Sequence, residues 1–305
     1  DLQNFFFGTR LRLVCDLVSK SAGQIQEDDK ALVDELRKRL GKQLGNEHSA
    51  IAIYETVLQM LTHTDPELYY RKLRMNLRAM ANHFRRDELV HLYGFALSFS
   101  IQQLNRGVET YLKEILVLYQ EQLESRVLIE DGLFPSQHFK NIVTVGLRLK
   151  EFEWTRRFIA TESPFLPEAE RESIITYSNA AVHYVLGSYA DCRKLLQNET
   201  FADPLYELEG KILLMKSLYE LAEWPALLLL GERQLKAVAQ DTRLSERQRN
   251  FHANFVRFLM RLVQYRQGSR APLGALIGEL EAARDASDLK WLRQKIDEAA
   301  KLSVR

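Results

Sequence analysis

Proline and glycine are scarce in this chain, and the prolines stand where helices should begin. Only seven prolines and fourteen glycines punctuate 305 residues. A fold of many short strands needs turn signals every ~8–12 residues, so such sparse punctuation predicts long helices. Asp65-Pro66-Glu67 supplies an N-cap, a proline at the first helical position and an acidic first turn, and Asp203-Pro204 repeats the device. Ser245-x-x-Gln248 has the spacing of a capping box. Pro225 and Pro272 fit first-turn positions, and Gly132-x-x-Pro135-Ser136 predicts a connector with a cap at Ser136. Leu, Glu, Arg, Ala, Lys and Gln dominate between these stops, and all are good helix formers.

The apolar pattern then predicts helices over 2–20, 28–43, 47–63, 66–84, 87–104 and 107–126 in the first half. It predicts 137–149, 151–162, 168–186, 189–198, 204–221, 224–240, 246–267, 271–285 and 287–302 in the second. Ile142–Leu149 is β-branched and half-alternating, which makes a strand a rival there. Helix is preferred because a lone strand has no partner for its backbone groups. Short linkers predict antiparallel helical hairpins in an all-α fold. The longest interruption is 126–136. It is read either as a boundary between a 1–130 helical region and a 131–305 repeat region, or as a loop within one continuous array.

Hydrophobic residues make up 46% of the chain and charged residues 27%, a composition that can bury a core. Lys and Arg number 42 against 41 Asp and Glu, so bulk attraction to phosphate is not expected as the main activity. The longest apolar run, Ala226–Leu230, is far below the ~18 residues a membrane span needs. Cys15 and Cys192 sit in apolar helical patterns and are expected as buried free thiols in a reducing, cytoplasmic setting. No secretory leader is visible, which carries little weight because the chain starts at Asp1 without a methionine.

Three segments align with one another: Val145-Gly-Leu-Arg-Leu-Lys-Glu-Phe152, Val182-His-Tyr-Val-Leu-Gly-Ser-Tyr189 and Leu218-Tyr-Glu-Leu-Ala-Glu-Trp224. Each joins an apolar helix end to a small or polar turn, an aromatic residue and an amphipathic second helix. Phe152, Tyr189 and Trp224 are 37 and 35 residues apart. Over about 136–240 this resembles the tetratricopeptide repeat (TPR), whose period is near ~34. Gly187-Ser188-Tyr189 matches best, with Ala180 and Cys192 at the small-residue positions. Lys150 and Ala222 replace the turn glycine in the other two units. Residues 246–285 could form a degenerate fourth unit. The wording of 131–160 is also similar to a group of uncharacterised bacterial helical-repeat proteins. The resemblance implies an α-solenoid of antiparallel hairpins in a right-handed superhelix, with the first helix of each hairpin lining a concave face.

Registering the three aromatics projects Lys140, Asn141, Thr144 and Arg148, then Tyr177, Ser178 and Tyr184, then Lys216 and Tyr219 onto that face. Such residues suit an acidic or C-terminal peptide segment: Lys and Arg for carboxylates, Asn for backbone, Tyr for rigid contact area. A solvated face with some tyrosines in the core is the plainer account. The carboxylate clamp of chaperone-binding TPR modules is not expected, because Thr144 and Ser178 stand where its two asparagines would be.

Arg247, Arg249, Arg257, Arg261, Arg266 and Arg270 could form a basic patch for nucleic acid, or a solvated face beside Glu279, Glu281 and Asp285. No two of the seven histidines are three or four apart, and no Cys-x-x-Cys, Gly-rich phosphate loop or Gly-x-Ser-x-Gly elbow occurs. No cofactor or metal is therefore expected. Glu27-Asp28-Asp29 complements a helix start and lacks the second acidic pair of a magnesium–diphosphate site. Phe5, Phe6 and Phe7, with Leu11, Leu13, Val14 and Leu17, predict a terminal helix packed on the core, with a homodimer contact as the further expectation. The functional expectation is a non-enzymatic scaffold or regulatory module that binds a protein or peptide. The alternatives are a nucleic-acid-associated helical repeat using the arginine face, and a helical enzyme with an unrecognised site.

Overall fold

The computed structural model describes residues 2–20, 50–80, 84–268, 273–283 and 285–303, without the side chains of 2–7, 50, 80, 302 and 303. Fourteen helices form among the described residues, with no strand. The helix expected over 28–43 and the acidic run at 27–29 lie outside them. The chain divides into two compact units, Asp1–Gly132 and Leu133–Arg305.

The first unit holds α1 (Leu2–Lys20), α2 (Ala50–Thr62), α3 (Pro66–Met80), α4 (Arg86–Asn105) and α5 (Thr110–Glu124). Each packs against the next. On α1, Leu11, Val14, Cys15 and Val18 are buried at the i, i+3, i+4, i+7 spacing of one helix face. They belong to the same core as Ile53, Tyr54, Val57 and Leu58 of α2. The Cys15 thiol donates to the Tyr54 carbonyl across 3.4 Å.

The second unit holds α6 (Ser136–Arg148), α7 (Phe152–Glu162), α8 (Glu168–Val185), α9 (Tyr189–Leu196) and α10 (Pro204–Glu220). It continues with α11 (Trp224–Gln240), α12 (Glu246–Arg266), α13 (Leu273–Ala282) and α14 (Leu289–Ser303). The β-branched stretch at 142–148 is helical, with Ile142 and Val143 in the core. Local signals set several ends. Asp203 accepts from the Leu205 and Tyr206 amides, and Ser245 and Gln248 close the capping box. The cap expected at Ser136 falls instead on Pro135. Ser136 is the first helical residue, and its hydroxyl donates to Glu170.

Two kinds of contact organise this unit. Consecutive helices pack in order, and α6, α8, α10, α12 and α14 also touch in series. Within the first hairpin the α6–α7 crossing is tight, because a Cβ on Gly146 would collide with the Thr155 hydroxyl.

The three turns that connect α6–α7, α8–α9 and α10–α11 are the same turn. Lys150, Gly187 and Ala222 take φ of 61°, 79° and 55°. The following residues Glu151, Ser188 and Glu223 sit at φ −81°, −81° and −82° with ψ 58°, 60° and 57°. Their amides donate back to Gly146, His183 and Leu218, closing the preceding helix in a Schellman arrangement. The aromatics Phe152, Tyr189 and Trp224 then start the second helix each time. Two of these left-handed positions lack glycine, at a cost of about 1 kcal/mol each.

Candidate partner-binding face

The series α6, α8, α10 brings most of the expected residues together, but its lysines already have partners. On α6, Lys140, Thr144 and Arg148 are spaced four apart and share one stripe. Lys140 is 9% exposed, and its ammonium meets Glu209 on α10 at 2.6 Å. It also lies 5.4 Å from the Tyr206 ring centre. Asn141 is half-buried and accepts from Gln137, while Thr144 and Arg148 are exposed. The Thr144 hydroxyl donates to the Lys140 carbonyl.

On α8, the Tyr177 hydroxyl donates to the second Glu209 oxygen at 3.1 Å. Burial, with Glu209 beside it, pushes the Tyr177 phenol well above its ordinary pKa. Ser178 is buried instead of facing the stripe, and its hydroxyl has no hydrogen-bond partner. Tyr184 is half-buried, with the Lys216 ammonium 4.7 Å from its ring centre.

On α10, Lys216 pairs with Asp288 at 2.6 Å and sits 5.3 Å from the Trp291 ring centre. Tyr219 is buried and meets Trp291 edge-on, 5.5 Å between centres. One turn further, Glu220 pairs with Lys295 of α14 at 2.9 Å. Burial works against the Lys295 charge, but hydrogen bonds to Glu220 and Glu298 outweigh it and raise the lysine pKa.

The result is a charge alternation along α10. Glu209, Lys216 and Glu220 are matched by Lys140 from α6, Asp288 ahead of α14, and Lys295 on α14. Sequence reasoning found Lys140 and Lys216 and missed Glu209, Glu220, Asp288, Trp291 and Lys295. The i, i+7, i+11 spacing of 209, 216 and 220 was a local signal. The pairing across 69 and 72 residues had none.

The first unit carries a face that sequence reasoning also missed. Arg74 on α3 is 5% exposed, and it reaches Glu121 at 2.6 Å and Glu114 at 2.5 Å on α5. Tyr70 donates to Glu114, Arg78 donates to Glu121, and Tyr111 donates to Glu67. A cleft of about 410 Å³ lies over this network, lined in part by Tyr70, Arg74, Met75 and Tyr111. The signal was a stripe of Glu67, Arg71, Arg74 and Arg78 at i, i+4, i+7 and i+11.

Compared with models of protein families, with curated proteins and with solved structures, the chain matches none of them.

The arginine-rich region is internally engaged. Arg261 makes two bonds to Glu279, and Arg257 donates to Asn254. Arg249 donates to the Asp241 and Leu244 carbonyls, while Arg247 and Arg266 lie over Phe251 and Trp224. Arg270 lies outside the described residues. On α1, Leu13 and Leu17 are exposed and four apart, whereas the side chains of Phe5, Phe6 and Phe7 lie outside the described ones. No group of three or more His, Cys, Asp or Glu among the described residues could hold a metal ion. No described helix is long and apolar enough to cross a membrane. Cys15 and Cys192 are free and buried. Burial raises both thiol pKa values, that of Cys192 to about 11, so neither is a ready nucleophile.

Proposed function

We propose that the second unit is a TPR-like solenoid of helical hairpins, acting as a non-enzymatic module that holds a protein segment on the face lined by α6, α8 and α10. The observation that carries this reading is the turn repeated at Lys150, Gly187 and Ala222, with the series contact of α6, α8 and α10. The shared turn gives each hairpin the same internal connection, and the series contact of the first helices supports a common surface along them. Stacked hairpins bury a core that no single hairpin can, and leave such a face for recognition. The face also has suitable chemistry: rigid tyrosines, charges of both signs and the exposed Thr144 and Arg148.

The test is capture of partners from native lysate, read by mass spectrometry, with the parent chain beside Thr144→Glu/Arg148→Glu. Both positions are exposed, so the variant should keep its helicity. A charge reversal at Lys216 is the wrong probe, because it would set a carboxylate against Asp288. A protein recovered with the parent and lost with the variant supports the reading. The same proteins recovered with both contradict it.

A further inference from the structure

Resting on that reading, we propose that α14 is a built-in occupant of the α8–α10 part of the face, and that a partner segment enters there by displacing it. A helix that merely continued the series would need only α12. α14 does pack on α12 and α13, burying Leu292, Ile296 and Ala299. Its first turns also reach past α12. Asp288 takes Lys216, Trp291 lies against Tyr219 and under the Lys216 ammonium, and Lys295 takes Glu220. Every charged residue that α10 offers here is satisfied by this one segment.

The chemistry of the occupant defines the competitor. Trp291 and Lys295 are four apart and share one side of α14, while Asp288 stands just ahead of the helix at φ 50°. The socket facing them is cationic at Lys216, aromatic at Tyr184 and Tyr219, and anionic at Glu220. Lys216, already over the Tyr184 ring, recognises a carboxylate by ion pairing and the face of a second aromatic ring by cation–π attraction. The partner that fits is therefore a segment with a carboxylate just before a helix, and with aromatic and basic side chains four apart on that helix. Occupation by α14 lowers the affinity of such a segment in proportion to the fraction of chains in which α14 is seated.

The experiment uses the full chain and a fluorescent peptide of residues 285–303 as the probe. The chain carrying Trp291→Ala/Lys295→Ala keeps the socket and weakens its occupant. It is expected to bind the peptide at least ~10-fold more tightly than the parent chain. Adding Lys216→Ala to it is expected to remove most of that gain. Equal binding by parent and loosened chains overturns the proposal, as does binding that ignores Lys216→Ala. If the double variant loses helicity, hydrogen exchange on the parent chain decides. Amides of α14 should open at least ~10-fold more often than those of α10 and α12, and exchange in step with them overturns the proposal. Failure here is separable from failure of the module itself. If the peptide fails while Thr144→Glu/Arg148→Glu still loses a partner, the α6 end remains the binding face and only the role of α14 falls.

Discussion

Both units carry a stripe of charged residues paired across packed helices, and the two stripes are completed in different ways. In the first unit one buried cation, Arg74, is held by two carboxylates of a single helix, and Tyr70 ties in the same network. In the second unit α10 depends on two separate elements, α6 for Glu209 and the start of α14 for Lys216 and Glu220. A network closed by one helix pair holds a core in register. A network completed by two separate elements is one in which a competing segment could replace one of them, as proposed for α14. The contrast explains why the second unit, and not the first, is the better candidate for reversible recognition.

The largest effect that would break this comparison is in the first unit. Arg74→Met leaves Glu114 and Glu121 on α5 without the buried cation they share, and should cost about 3–5 kcal/mol. Denaturant unfolding followed by hydrogen exchange should show the loss in α3–α5 and not in α6–α14. A loss below ~1 kcal/mol would make the network incidental.

Acid should separate the units next. His252 on α12 is 1% exposed with both ring nitrogens unpartnered, and burial pushes its pKa down to about 4. The unfolded chain takes up a proton near pH ~6.5 and the folded chain does not, so the second unit loses stability as pH falls from there toward 4. The amount is on the order of 3 kcal/mol. Burial opposes the Glu121 charge, but Arg74 and Arg78 more than offset this and hold its pKa below the ordinary value. Its contribution is present above the ordinary carboxylate pKa and fades only below it. The second unit should therefore lose protection first on acid titration, and His252→Phe should flatten its loss above pH 4. A reversed order would contradict this assignment.

A smaller effect is expected at the start of α14. Lys295→Met leaves Glu220 without its ammonium partner and should cost about 1–3 kcal/mol. The loss should appear as faster exchange in α14, with α6 and α7 unchanged. Uniform loss through the unit would mean that α14 opens only with the whole.

The smallest effect concerns the turns and has the opposite sign. Ala222→Gly and Lys150→Gly relieve left-handed backbone and should each stabilise the second unit by up to about 1 kcal/mol. Thermal unfolding that shifts downward for both would show that the turns are not held as described.

These comparisons also show what a sequence discloses. Helix starts at Pro204 and Ser245 were legible because a cap is written within three residues. The shared turn was legible through Phe152, Tyr189 and Trp224, although Lys150 and Ala222 lack the glycine that usually marks it. At Ser136 the expected cap was one residue late, because Pro135 already supplies the extended backbone before the helix. The stripe positions Lys140, Tyr177, Tyr184 and Lys216 followed from setting Phe152, Tyr189 and Trp224 in register. Their partners did not, since Glu209 and Asp288 lie about seventy residues away and pair through packing that spacing alone does not encode. Ser178 was placed on the stripe and is buried, a shift of about one side-chain direction on α8.

The most direct test of the account is site-specific photo-crosslinking in native lysate, with the probe at Thr144 on the α6 stripe and, as a control, at exposed Lys236 on α11. The account predicts a defined protein adduct from position 144 and none of that species from 236. The same adduct from both positions, or from 236 alone, would contradict a partner face built on α6, α8 and α10.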